Sequence, residues 1–85
     1  MSDSDRVPVT IDEWPDDADS DEGVVVNWFV REGRSVDEGE SLCEVQVEKV
    51  SLDVLAPVDG TLAEIVYGED DEFAQGDTLA WMEAA

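Results

Sequence analysis

Short apolar runs alternate with turn residues along this 85-residue chain, and no window sustains a 3.6-residue period. Val7 to Ile11 reads as a first strand, with Pro8 placing it at a sheet edge or a strand start. The β-branched and aromatic run Val24 to Val30 predicts a second strand, and Gly33 ends the turn after it. Leu42 to Val47 predicts a third. After Glu48 and Lys49 comes a fourth, Ser51 to Leu55, in which Leu52 and Val54 alternate with Ser51 and Asp53. Pro57 and Gly60 punctuate, Leu62 to Tyr67 resumes, an acidic turn runs from Glu69 to Glu72, and Thr78 to Met82 closes the series. Many short strands at even spacing, without helices, predict an all-β fold, a small sandwich or barrel.

The pattern also repeats. A shift of 37 positions carries Gly23 onto Gly60, Val30 onto Tyr67, Glu32 onto Glu69 and Val36 onto Phe73. It then carries Gly39, Glu40, Ser41 and Leu42 onto Gly76, Asp77, Thr78 and Leu79. Two such halves, each unable to cover its own apolar face, are expected to pack about a pseudo-two-fold axis. One small domain over residues 7–83, preceded by a tail at 1–6, accounts for the whole length.

Composition narrows the chemistry. The chain carries 24 acidic and 4 basic side chains, a formal charge of −20, with one cysteine and no histidine. No intrachain disulfide, CxxC metal site or His-dependent catalytic relay can be built from these residues. A surface this negative repels a phosphate backbone, so no nucleic-acid partner is expected, and it favours a monomer at low salt. Acidity is also a mark of disorder, but hydrophobic residues make up 42% of the chain and fall in patterned runs, which favours a folded domain. No stretch approaches the roughly 20 apolar residues of a membrane span. The start, MSDSDRVPVT, has neither the basic nor the apolar region of a signal peptide, so a cytoplasmic location away from membranes is expected.

Residues 12–22 hold seven carboxylates and Pro15, and read as a solvated loop. The alternation Asp17, Asp19, Asp21 resembles the opening of a calcium loop. Glu22 and Trp28 stand where that loop needs glycine and glutamate, so no metal site is assigned. Trp14, inside the acidic loop, is expected to be exposed and available to a partner. Cys43, between Leu42 and Val45, reads as buried and inert. Lys49 is different. It is the only lysine, flanked by Val47 and Val50, at the place where a hairpin must turn and where the two repeat halves meet. Such a lysine is held out into solvent, where a modifying enzyme can reach its amine.

The segment GESLCEVQVEKVSLDVLAPVDGTL, residues 39–62, resembles the attachment region of the biotinyl/lipoyl carrier domain family. The likeness extends over nearly all of residues 7–83, including Gly23, the strand bearing Trp28, and the turns at Gly39 and Gly76. It implies a flattened β-barrel or sandwich of two four-stranded antiparallel sheets with pseudo-two-fold symmetry, and a modified lysine, Lys49, at an exposed β-turn. Biotin carriers usually place methionine on both sides of that lysine. Glu48-Lys49-Val50 is closer to the lipoyl pattern of an acid before and a small or β-branched residue after, which implies lipoate on Lys49, with biotin as the alternative. Gln46 and Val47 depart from the glutamate and threonine common in lipoyl domains, so Val47, Glu48 and Val50 are the residues expected to govern recognition around the turn.

The implied role is a carrier, not an enzyme. It would serve the E1-, E2- and E3-type components of a 2-oxoacid dehydrogenase complex after loading by a lipoate-protein ligase or lipoyl transferase. A biotinyl carrier for a carboxylase and an unmodified adaptor of the same fold are the other two readings.

A carboxylate coat of this density destabilises a compact state through self-repulsion, which molar salt relieves by shortening the screening length to about 3 Å. The composition therefore points to a halophilic cytoplasm. The melting temperature is expected to rise steeply with KCl toward molar concentrations, and a melting point and near-UV spectrum insensitive to KCl would contradict this.

Overall fold

The structure, a computed structural model, describes residues 6–11, 14–15 and 18–85. The described residues form eight strands: β1 (Arg6–Val9), β2 (Glu22–Trp28), β3 (Ser35–Val36), β4 (Ser41–Val47), β5 (Val50–Leu55), β6 (Gly60–Ile65), β7 (Glu72–Ala74) and β8 (Ala80–Ala84). They form two antiparallel four-stranded sheets, in the orders β1-β8-β6-β3 and β5-β4-β2-β7. The sheets do not close into one hydrogen-bonded barrel, so of the two architectures expected the sandwich is the one formed. Among the described residues no helix is long and apolar enough to cross a membrane.

The repeat read in the sequence is carried through to the pairing. In one sheet Val24 pairs with Gln46, Val25 with Val45 and Asn27 with Glu44. The same shift that carries Gly23 onto Gly60 turns these into Thr61 with Glu83, Leu62 with Met82 and Glu64 with Trp81, which are the pairs of the other sheet. Even the bulges correspond, one between Val25 and Asn27, the other between Leu62 and Glu64. The edge pairs correspond as well: Val36 lies opposite Gly60 as Phe73 lies opposite Gly23. β1 takes on β8 the place that β5 takes on β4, with Val9 opposite Ala80 as Val54 is opposite Cys43.

Between the sheets lie Val9, Val25, Leu42, Cys43, Val45, Val54, Leu62, Leu79, Ala80 and Met82, each with at most 2% of its surface exposed. Burial of a side chain the size of Val, Leu or Met is worth about 1.5–3 kcal/mol, so this layer is the main source of stability. Leu42 and Cys43 are consecutive yet both buried, because the register slips between Ser41 and Cys43 and lets neighbours face inward together. No charged or polar side chain is buried among the described residues. The carboxylates described form a coat around an apolar interior.

Strand ends differ from the sequence reading by up to two residues at β2, β6 and β8, and other features differ as well. β3 and β7 are strands of two and three residues, each with one buried apolar side chain, Val36 or Phe73, too short for any alternation to register. β1 begins at Arg6 and ends at Val9, short of Ile11, which packs against the core from the loop instead. Trp14 is not the exposed anchor its acidic surroundings implied. It is half-buried and meets Phe73 edge-on, with ring centroids 6.1 Å apart at 89°, and its indole N–H donates to the Ser20 carbonyl at 3.2 Å. Such an aromatic pair is worth about 0.5–1.5 kcal/mol beyond its area. The contact pins the loop to the sandwich. Asp12, Glu13, Asp16 and Asp17, four of the seven carboxylates of residues 12–22, lie outside the described residues.

Gly60 shows how closely neighbouring strands of one sheet approach, here β6 and β8. A Cβ there would collide with the Glu83 carbonyl oxygen of β8, a backbone atom that cannot turn aside. At the equivalent Gly23 the nearest atom is Cζ of the Phe73 ring at 2.8 Å, a side chain with some freedom to move. Gly60→Ala is expected to cost about 2–3 kcal/mol, the upper range for overpacking. For a domain of this size that lowers the melting temperature by about 10 °C or more. Gly23→Ala should cost less. Thermal melts of both variants check the order, and an unchanged melting point for Gly60→Ala would contradict the close approach.

Candidate functional site

β4 and β5 stay paired up to Val47 opposite Val50, which leaves Glu48 and Lys49 as the whole connection. Two-residue hairpin turns match the strand twist only with a positive φ at one or both central positions. Glu48 supplies it, with φ of 55°, and Lys49 has no positive φ, the pattern of a type II′ turn. Glutamate is a costly residue for that conformation, by about 1–3 kcal/mol, and it persists there because its surroundings fix it. The fixing contacts are visible. Glu48 Oε2 accepts hydrogen bonds from the backbone N–H of Asp19 at 2.8 Å and of Ser20 at 2.9 Å.

Lys49 is exposed at the tip. Among the described residues the one ion pair is Arg6 with Glu64 at 3.5 Å, so Lys49 makes none with them, and it donates no hydrogen bond to them. The two flanking valines differ. Val47 is fully buried and roots the turn in the core, whereas Val50 is 43% exposed. Of the residues expected to govern recognition, Glu48 and Val50 are exposed, whereas Val47 belongs to the interior at the base of the turn.

Beside the turn an open cleft of about 290 Å³ lies between the loop and strands β2, β4 and β7, lined by Ser20, Glu22, Val24, Gln46, Glu48 and Glu72 among others. All the ionisable groups on it are carboxylates. No group of three or more His, Cys, Asp or Glu side chains is placed to hold a metal among the described residues. Asp17, the first acid of the calcium-loop resemblance, lies outside them. The amides of Asp19 and Ser20 are turned to Glu48 instead.

Cys43 is six positions before Lys49 but belongs to the interior. Burial, and secondarily the negative charge of Asp53, push its thiol up to about 12, so the reactive thiolate is absent near neutral pH. Beyond the end of β6, Tyr67 donates its hydroxyl to Asp77 Oδ2 at 2.9 Å, and the same oxygen accepts the Ala74 N–H at 2.9 Å. These bonds, the Ala74 amide first, hold the Asp77 carboxyl below its usual range, and the bond to Asp77 raises the Tyr67 hydroxyl. Asp77 thus ties the turn that follows β7, the strand on which Phe73 meets Trp14.

Sequence reasoning singled out Lys49 and Glu48 together but missed what Glu48 touches. Its partners lie 28 and 29 residues earlier in the chain, in a loop whose only evident feature is its charge. An acid beside the turn is legible in the sequence, but nothing local says that its acceptor meets backbone amides.

Comparison with known proteins follows the same line. Residues 14–82 match the family model described as biotin-requiring enzyme, the biotin/lipoyl family. The chain is 35% identical over 63 residues to the dihydrolipoyllysine-residue acetyltransferase component of the pyruvate dehydrogenase complex of Staphylococcus aureus, and 33% identical to that of Staphylococcus epidermidis. The match covers 74% of this chain but only 15% and 14% of the length of those relatives. Among solved structures, the lipoyl domain of the 2-oxoglutarate dehydrogenase complex of Azotobacter vinelandii superimposes with a TM-score of 0.72 at 29% identity, covering 93% of this chain and 99% of that one. A single-chain, multi-domain long-chain acyl-CoA carboxylase shares the fold at 20% identity and a TM-score of 0.70, with 8% of its length covered. By the match over residues 14–82, the chain belongs to the biotin/lipoyl attachment family.

Proposed function

We propose that this protein is a lipoyl carrier, with lipoate joined in amide linkage to Lys49 Nζ. The observation that carries this reading is the placement of the only lysine in the sequence at the exposed second position of a two-residue hairpin turn. The turn suits the group. Val47 fixes its base, Glu48 fixes its backbone, and the Lys49 side chain is free of described partners that would hold it down. The acid before the lysine, the non-methionine flanks and the named lipoyl relatives favour lipoate over biotin.

A bound lipoyl group supplies a dithiolane that takes up an acyl group with two electrons and passes both on. The protein's own part is mechanical and electrostatic. The sandwich holds the Lys49 Cα at a fixed point, and the loop and the exposed Val50 give partner enzymes a surface to read. Those partners are the decarboxylase, acyltransferase and dihydrolipoyl dehydrogenase components of a 2-oxoacid dehydrogenase complex, with a lipoate ligase or lipoyl transferase acting beforehand. The negative surface around the turn favours partner faces that are basic.

Intact-mass measurement of the protein isolated from its own host, with peptide mapping across Lys49, tests the reading. A lipoyl increment on Lys49 that is absent from Lys49→Arg is expected. A biotinyl increment would transfer the protein to carboxylase chemistry. An unmodified Lys49, in a host that makes both cofactors, would contradict a carrier role and leave an adaptor of the same fold.

A further inference from the structure

The acidic loop preceding β2 and the turn bearing Lys49 are bridged by one side chain. Glu48 Oε2 receives two consecutive backbone N–H groups, those of Asp19 and Ser20, at 2.8 and 2.9 Å. Successive N–H groups aimed at one oxygen form an anion-binding nest, and hydrogen bonds to a carboxylate are roughly twice as strong as neutral ones. The loop's other described ties lead elsewhere. Trp14 packs on Phe73, and the Asp21 carbonyl accepts the Gln75 N–H at 2.7 Å. Those contacts fasten the loop to β7 and the turn after it, but not to the hairpin. Among the described residues Glu48 alone makes a hydrogen bond between this stretch and the β4–β5 turn.

The electrostatics make the contact more telling. Glu48 lies beside Glu22 and Glu72 along the same cleft, and Asp19 and Asp21 belong to the loop it touches, so like charges would drive it from the loop. Only the capture of its carboxylate by peptide N–H groups lets an acid dock there. We infer that Glu48 is a positioning residue, whose carboxylate cap on Asp19 and Ser20 holds the acidic loop against the Lys49 turn, so that a partner enzyme meets loop and lysine arm as one preformed surface. This rests on the carrier reading. It also gives the acid before the lysine a task beyond that of shaping the turn, because a glycine would make the turn at less conformational cost.

That difference supplies the test. Glu48→Gly relieves the positive φ while it removes the cap, so a role confined to turn geometry would leave the loop unmoved. Glu48→Gln keeps an acceptor but loses the charge. In the 85-residue chain, water-exchange NMR should find the Asp19 and Ser20 amides exchanging about 10-fold faster in Glu48→Gly, with the core amides of Val45 and Leu62 unchanged. Glu48→Gln should fall between. With lipoylated chains as substrates for a 2-oxoacid decarboxylase, Glu48→Gly should raise KM about 10-fold and leave kcat within about twofold, the signature of lost preorganisation.

Unaltered exchange at Asp19 and Ser20 in Glu48→Gly would overturn the cap. Faster exchange with an unaltered KM would overturn its part in recognition. The exchange measurement needs no lipoate, so a wild-type chain that is never lipoylated would count against the carrier reading while the cap is still decided.

Discussion

Two residues join β4 to β5, and that shortness governs the surroundings of Lys49. A two-residue connection between paired strands has few backbone conformations open to it, so the lysine Cα is as fixed as the sheet beneath. The sheet is fixed by Val45, Val47 and Val54, which are buried in the strands that flank the turn. The pseudo-two-fold axis explains why there is one such tip. The strands equivalent to β4 and β5 in the other sheet are β8 and β1, which lie at opposite ends of the described sequence and share no turn. Symmetry in the pairing thus coexists with asymmetry in the connections, and the lysine sits on the one connection that the symmetry does not repeat.

Charge is organised around the same point. The apolar layer excludes every ionisable side chain described except the Cys43 thiol, which leaves the carboxylates outside and in one another's fields. Across the described surface this crowding is resolved largely by backbone: Glu48 meets the Asp19 and Ser20 amides, Asp77 meets the Ala74 amide, and Glu32 accepts the Ile65 N–H at 2.8 Å. With 4 basic side chains for 24 acids, peptide N–H groups are the donors in supply. A reaction that converts the lone lysine ammonium to an amide removes one of the few positive charges and makes the tip a more uniform acidic surface.

Much of this was legible beforehand because it follows from local pattern. The strands long enough to alternate, β2, β4, β5 and β6, are where the apolar runs put them, and the glycine register gave the repeat that the pairing follows. β3 and β7 were not legible, since a lone Val36 or Phe73 makes no pattern and owes its strand conformation to the glycine across the ladder. Trp14 was misjudged for a related reason: its neighbours in sequence are acids, but its neighbours in space are Phe73 and the core. Lys49 could be singled out because it is the only lysine. The Glu48 cap could not, because a bond from a side chain to distant amides leaves no trace in composition or spacing.

On the proposed carrier role, the fold and not the residues adjoining Lys49 creates the attachment site. The most direct measurement compares the rate at which a lipoate ligase with lipoyl adenylate modifies the folded chain and a synthetic peptide of residues 45–53, at a KCl concentration where the chain is folded. A kcat/KM at least about 100-fold higher is expected for the folded chain, reflecting a lysine preorganised at a hairpin tip. Equal rates for the two substrates would contradict it.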